Sequence, residues 1–427
     1  MSLSSFRDDP GRLDRSHELH ARPFPEIAAP ATALCIALRP DGHGDPASFD
    51  AHLDALLAHY GVDRPAPGAK HHYGKIGAHF LKWERHTEFF SYTFFVENPG
   101  GDPFDPPRNL FPPEWAKTAP GRVVAATLVH VRHCPEAEDL SGFLAEAVAP
   151  HFVPESLAIS HVLDQAAIIA SDFRIDANGF TRAMVLAQPE TGQRRLGRIT
   201  QRLIEIENYK SMAMLTLPIA QAAAAELTEM DRLLSGIVAD YAASDSDHEA
   251  TLTKLLEVSA DIEHLIARNE DRFSAAKAYG AIVGQRIAVL RETRLGGRQT
   301  LEEFMLRRFD PALRTCAATH ARLAAVAARA ARAGEMLRTR TDFSREEQNQ
   351  EILARMDARA ATQLRLQKTV EGLSVVAVSY YAVNLASYFL APFAQGFGIG
   401  KAWLTAALVL PVLAIVWGFI QRLKRHI

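Results

Sequence analysis

The sequence has little of what marks several common protein classes. Its 427 residues contain only three cysteines, Cys35, Cys134 and Cys316, with no C-x-x-C pair, which suits a reducing cytosol and argues against a disulfide framework. The formal net charge of −3 leaves no basic excess to neutralise phosphates, so we expect no nucleic-acid partner. The N-terminal segment through His20 has no apolar run of the signal-peptide type. We therefore expect the long polar part of the chain to stay in the cytosol.

Enzyme signatures are also missing. No G-x-G-x-x-G loop follows a predicted strand, and neither G-x-S-x-G nor H-E-x-x-H occurs. The segment Gly396 to Lys401 is glycine-rich but lacks the spacing and the Ser or Thr of a phosphate-binding loop. We expect neither an enzyme nor a bound cofactor.

Residues 1–190 have the composition of a cytosolic α/β module. They hold 13 of the 17 histidines and most of the prolines. A short helix is predicted at Phe49 to Tyr60, with Ser48 as its N-cap. Alternating aromatic and β-branched residues predict strands at His72 to Glu84, Glu88 to Val96, Val123 to Val131, Gln165 to Ile175 and Phe180 to Leu186. The whole chain is therefore predicted as an α+β cytosolic module followed by long antiparallel, coiled-coil-like helices and a C-terminal two-helix transmembrane hairpin.

Residues 191–372 form the predicted long-helix region. Apolar residues recur in alternating three- and four-residue steps over residues 252–290, which is typical of a coiled-coil seam. A kink is expected at Pro218. After Asp310-Pro311 the helical pattern continues without a linker into the apolar residues that begin at Leu373.

Residues 373–427 form the predicted membrane hairpin. Leu373 to Ala394 contains 22 residues and no charge, about 33 Å of helix at 1.5 Å per residue, and Trp403 to Ile420 is also uncharged. Arginines and lysines lie just before the first span and just after the second, so the positive-inside rule predicts a cytosolic location for both termini. The lipid bilayer is thus an expected partner, although a buried helical hairpin of a soluble protein would show the same apolar runs.

A polar stripe marks the first predicted span. Steps of three and four residues place five side chains on one face: Ser374, Ala377, Tyr381, Asn384 and Tyr388. The same frame extends backward through Leu353, Met356, Ala360, Gln363, Gln367 and Val370. Either these residues pack against the second span or a neighbouring subunit, or they line a pore in a ring of subunits, where Asn384 and the tyrosines meet ions.

Two further groups of residues have candidate roles. His17, His20 and His72 are candidate metal ligands, because neutral imidazole binds zinc and related ions, but they form no closed ligand set. The charged residues of Lys82 to Glu88 and the polar side of Arg198 to Asn208 either form an inter-domain ionic network or bind a small anion.

Four segments resemble a bacterial membrane-anchored family, domain-of-unknown-function family 3422. They are Glu18 to Phe24, Lys82 to Phe89, Gly197 to Glu205, and Thr369 to Ser374 followed by Tyr380-Tyr381. This resemblance implies a location in the bacterial inner membrane.

The order of parts also resembles the CorA-type magnesium channel superfamily, which implies a homo-oligomer, a pentamer in that superfamily, that passes a divalent cation. The superfamily's Gly-Met-Asn signature has only Tyr381-Ala-Val-Asn384 as its nearest counterpart, in mid-span.

Three functions remain open from the sequence. The leading hypothesis is an oligomeric inner-membrane cation channel or transporter gated by its cytosolic domain. The alternative is a membrane-tethered cytosolic scaffold or sensor with the hairpin as a passive anchor. A third is an enzyme in the histidine-rich module, which the missing motifs disfavour.

Overall fold

The computed structural model describes residues 8–13, 16, 24–41, 45–66, 68–135, 140–242, 248–396 and 400–424. The chain divides into two compact units, Met1–Ala333 and Gly334–Ile427. The three-part division drawn from the sequence stays a prediction.

A nine-stranded mixed sheet forms the centre of the first unit. The strand order is β2-β3-β4-β1-β5-β8-β7-β6-β9; β5 and β8 run parallel, and the other neighbouring pairs are antiparallel. The strands are β1 Ala31–Arg39, β2 His71–Ile76, β3 His79–Arg85, β4 Phe90–Glu97, β5 Arg122–His133, β6 Ala158–Val162, β7 Ala167–Ile175, β8 Thr181–Ala187 and β9 Thr293–Arg294.

Helices lie between the strands in the sequence and also follow them. The elements are α1 Pro46–His59, α2 Pro113–Lys117, α3 Leu140–Ala147, a 3-10 turn at Ala149–His151, α4 Gln193–Met214, α5 Thr216–Ala242, α6 His248–Ala288, α7 Leu301–Arg308, α8 Asp310–Gly396 and α9 Lys401–Lys424.

Each face of the sheet carries its own hydrophobic core. On one face, Leu34 and Leu38 of β1 pack in a cluster with Phe49 of α1 and Trp115 of α2. On the other, the small residues Ala33, Cys35 and Ala37 of β1 belong to a cluster with residues of α4, α6 and α7. Because strand side chains alternate between faces, the large side chains of β1 point toward α1, and α4 packs against the face lined by small side chains.

The sequence predictions for this region need two corrections. The predicted strand His72 to Glu84 is two strands, since Gly77 takes a φ of +55° and the chain turns there between β2 and β3. The first helix begins at Pro46, with Asp45 as its N-cap accepting from the Ala47 amide; Ser48 instead donates its hydroxyl to the Asp45 carbonyl at 2.6 Å. In addition, the structure contains three strands that the sequence patterns do not predict, β1, β6 and β9.

The long helices run antiparallel within the first unit. Arg272 of α6 reaches the Met212 carbonyl of α4 at 3.0 Å, and Arg268, one turn earlier, reaches Glu226 of α5 at 2.9 Å. Glu270 of α6 contacts His320 of α8 at 2.9 Å. The predicted kink at Pro218 is a break between α4 and α5 at Leu215, three residues earlier than the proline.

The second unit contains the remainder of α8 and all of α9. Two helices, α8 and α9, are long and apolar enough to cross a membrane, judged by length and composition. The helical pattern predicted from Asp310 onward is a single helix of 87 residues, so the expected absence of a linker before Leu373 is confirmed. The pairing of the two apolar helices as a membrane hairpin stays a prediction.

Candidate functional site

Two segments that carry the family resemblance meet on the α4 face of the sheet. Lys82 and Glu84 lie on β3 and Gly197 to Glu205 on α4. Lys82, Glu84, Gln201 and Glu205 line one small cavity. The segments are more than one hundred residues apart in sequence, and the sheet brings them together.

Gly197 allows the chain just after the Glu18 to Phe24 segment to lie against α4. A Cβ at this glycine would fall 1.6 Å from the Pro25 carbonyl oxygen, far inside van der Waals contact. The Ile27 amide donates to the Gln193 carbonyl at 3.2 Å, and Ile27 is buried in the core cluster. The start of α4 therefore packs against residues 25–27.

The cavity itself is a buried polar cluster. Lys82 is 3% exposed and its Nζ lies 3.2 Å from Glu84 Oε2. Among the described residues, Lys82 Nζ, Gln201 Oε1 and Asn208 Oδ1 have no hydrogen-bond partner. The cavity leaves space for about one water molecule. A water placed there can accept a hydrogen bond from the ammonium group and donate hydrogen bonds to the two amide oxygens.

A buried thiol borders this cluster. Asn208 Nδ2 donates to Cys35 Sγ at 3.6 Å, and Cys35 is completely buried. Burial raises the pKa of the Cys35 thiol to about 11, against a lowering by the Thr93 hydrogen bond. The thiol is therefore neutral at physiological pH, and its role is to fill space in the core rather than to react as a nucleophile.

Ion pairs tie the cluster to α6. Arg286 pairs with Glu205, and Arg272 pairs with Glu88 at 2.5 Å. Burial, followed by the hydrogen bond with Glu88, raises the pKa of Tyr279 above its ordinary range. These two ion pairs join the segment between β3 and β4, and α4, to α6 inside the first unit.

The polar side of α4 predicted from the sequence divides between two places. Gln201, Glu205 and Asn208 face the buried cavity, whereas Arg198 and Arg202 line a separate open cleft of about 480 Å³. Arg195, Arg291, Leu163, Ala288 and Val289 complete the lining of this cleft. Arg291 and the β6–β7 turn were not predicted as part of any site, because their contribution depends on long-range folding.

The candidate metal ligands are not brought together in the described residues. His72 lies on β2 at the edge of the sheet, and burial, then the nearby His71, lowers its pKa. His17 and His20 fall outside the described residues. No group of three His, Cys, Asp or Glu side chains suited to a metal occurs in the part of the chain that the structure describes. The metal site stays a prediction.

The residues of the predicted stripe lie along α8. We call its eleven frame positions the seam: Leu353, Met356, Ala360, Gln363, Gln367, Val370, Ser374, Ala377, Tyr381, Asn384 and Tyr388. All are exposed except Asn384, which is half-buried. The helix buries a different side, at Ser379, Ser387 and Ala394. At 100° per residue, these positions lie about 100–180° around the helix from the centre of the seam's membrane part. Among the described residues, four of the five seam positions in the membrane part are thus left exposed, and Asn384 is partly covered.

Comparison with known proteins identifies a family. A family model described as "Protein of unknown function (DUF3422)" matches residues 7–427, so the chain belongs to that family and the resemblance seen in the sequence is confirmed. No curated protein and no solved structure matches the chain. The resemblance to the CorA-type superfamily finds no support in these comparisons.

Proposed function

We propose that this member of the DUF3422 family is a homo-oligomeric protein of the bacterial inner membrane, in which the α8 helices of several subunits meet along the seam and enclose a cation pathway gated by the cytosolic part. The observation that carries the proposal is the seam itself. It holds heptad spacing over eleven positions, and ten of these side chains are exposed in the single chain.

The seam before Leu373 supports association in water. Leu353 and Met356 are each 61% exposed and Val370 is 57% exposed, and every described side chain from residue 345 to 370 is exposed. A single helix without a packing partner is marginal in water. Burying a large aliphatic side chain contributes about 1.5–3 kcal/mol. A second copy of the same helix provides the matching surface, because heptad spacing is self-complementary.

The seam after Leu373 supports a polar pathway. Tyr381 and Tyr388 are 71% and 69% exposed, and Asn384 lies about halfway along the first apolar segment. Uncovered amide and hydroxyl groups are costly in hydrocarbon. Facing a central axis, they meet one another or water, and an amide oxygen can replace part of a cation's hydration shell. In this proposal, both termini face the cytosol and α9 returns the chain across the membrane.

Cysteine cross-linking tests the association. The native cysteines are all buried, so a cysteine introduced on the surface of the helix reports on its own surroundings. We expect Ala377→Cys to form a disulfide-linked dimer in membranes under mild oxidation. Val376→Cys is the matched control, because this position is 69% exposed, lies at the same depth and is turned about 100° from the seam. Equal cross-linking at both positions, or none at Ala377, contradicts the seam.

The second candidate function is a membrane-tethered cytosolic sensor or scaffold with a passive anchor. The observation favouring it is that two of the four segments that carry the family resemblance, Lys82 to Phe89 and Gly197 to Glu205, converge in the first unit. The two candidates differ in one variant. Asn384→Leu abolishes a cation pathway but leaves a sensor with a passive anchor unaffected.

A further inference from the structure

The cleft beside α4 has an excess of positive charge. Arg195, Arg198 and Arg202 lie at steps of three and four residues on one side of α4, and Arg291 faces them from the chain after α6. One nearby carboxylate is Asp164, whose Oδ2 is 2.7 Å from Arg291 and 3.8 Å from Arg195. Arg198 and Arg202 have no ion pair or hydrogen bond among the described residues. The four guanidinium groups thus outnumber the two nearby carboxylates, Asp164 and Glu205, and Glu205 is already paired with Arg286.

This charge is held where water screens it incompletely. Arg198 and Arg202 are both half-buried. Burial lowers the pKa of Arg202. The nearby Glu205 carboxylate raises it by a smaller amount, and repulsion from Arg286 and Arg198 lowers it again. Like charges brought together without partners cost free energy unless an anion joins them. The fold therefore maintains an arrangement that a bound anion would stabilise.

The walls of the cleft are fixed by the backbone. The Leu163 amide donates to the Leu290 carbonyl at 2.8 Å, which ties the β6–β7 turn to the end of α6. Leu163, Asp164 and Arg291 have φ values of 50°, 59° and 48°, a conformation that is costly for residues other than glycine and is found where the surroundings enforce it. The arginines on either side are thus presented from rigid segments.

We propose that this cleft binds a small anion carrying two or more phosphate groups. Guanidinium groups bind phosphate oxygens through paired hydrogen bonds of fixed geometry. Two of these arginines have no partner and two share Asp164, so their combined positive charge exceeds the negative charge of a single phosphate. The site lies in the first unit and involves none of the seam residues. It holds whether or not the protein conducts cations.

Calorimetric titration of the full-length protein in detergent with inorganic pyrophosphate tests the proposal. We expect saturable binding to one site per chain. Removing each guanidinium weakens binding about tenfold or more, since hydrogen bonds to charged groups are the strong ones. The double variant Arg198→Gln/Arg202→Gln is therefore expected to bind about a hundredfold more weakly.

Arg194→Gln is the matched control. This arginine is on the same helix turn, 82% exposed, and paired with Glu26 at 2.7 Å outside the cleft, so its replacement should change pyrophosphate affinity less than twofold. Repeating the titration with chloride at matched ionic strength should give no saturable binding. The proposal is overturned if wild-type protein does not bind pyrophosphate, if chloride competes equally at that ionic strength, or if the control weakens binding as much as the double variant.

A stability measurement separates a binding role from a structural one. Without ligand, the double variant should melt at the same temperature as wild type or higher, because it removes repulsion between half-buried cations. Pyrophosphate should raise the melting temperature of wild type and not that of the double variant. A double variant that melts lower without ligand and responds to pyrophosphate as wild type does would assign these arginines to structure and overturn the proposal.

Discussion

Replacing Gly197 by alanine should destabilise the first unit, even though alanine is the better helix former. The new Cβ would lie 1.6 Å from the Pro25 oxygen and 2.7 Å from its carbonyl carbon, so the N-terminal segment or the start of α4 must move. Overpacking costs about 1–3 kcal/mol. The movement also breaks the Ile27 to Gln193 hydrogen bond, which costs about 1 kcal/mol, and uncovers part of Ile27, which costs about 1 kcal/mol more.

The gain in helix propensity on changing Gly to Ala is about 1 kcal/mol, so the net loss in the free energy of unfolding should be about 2–4 kcal/mol. Urea unfolding in detergent, followed by tryptophan fluorescence, measures this difference, because Trp83 and Trp115 are buried in the same unit. Gly236→Ala on α5 is the control. A Cβ at Gly236 would have nothing within 4 Å, and this variant should be neutral or stabilising by up to about 1 kcal/mol.

The reasoning is refuted if Gly197→Ala is as stable as Gly236→Ala. That result would mean that the segment after Phe24 is not packed against α4. A parallel loss in both variants would instead point to a general intolerance of these helices to alanine and would also contradict the assignment of the clash.

Two further changes probe buried charge. Burial and the nearby Arg132 lower the pKa of His130 to about 4, so falling pH favours the unfolded state increasingly between about pH 6.5 and 4, by about 3 kcal/mol at pH 4. His130→Gln should flatten the dependence of the free energy of unfolding on pH, whereas His264→Gln, at an exposed position, should not. Parallel curves of this free energy against pH for the two variants would contradict the account. Lys82→Met removes the buried ammonium group that pairs with Glu84 and should cost about 3–5 kcal/mol in the free energy of unfolding. Adding Glu84→Gln should recover most of that loss, and strictly additive losses in the double variant would count against a coupled pair.

The long helices were predictable because their signal is local. Apolar residues at steps of three and four residues indicate a helix wherever they occur, and α6 and α8 follow that pattern with few breakers. The positions of Ser374 to Tyr388 on one face follow from the same periodicity. No tertiary information is needed for such a prediction.

Strands and sites were less predictable because they depend on distant residues. The β2–β3 turn at Gly77 lies inside a continuous run of strand-forming residues, and β1 is rich in small residues whose role becomes clear only when α4 packs on them. The arginine cleft needs Asp164 and Arg291, which lie 127 residues apart in the chain and pair only after folding. The sequence showed Arg198 and Arg202 on a polar helix side, but not which of the helix's polar residues share a cleft.

Cation flux into proteoliposomes tests the central claim most directly. We expect purified protein to carry Mg²⁺ into vesicles above the rate of empty vesicles, and Asn384→Leu to abolish this flux. Val383→Ala, one residue earlier and turned about 140° around the helix from the centre of the seam's membrane part, should retain it. Loss of flux in Asn384→Leu with unchanged cross-linking at Ala377→Cys would assign the amide to the pathway. No Mg²⁺ flux from protein that forms the predicted oligomer, or equal flux with and without the Asn384 amide, would contradict the account.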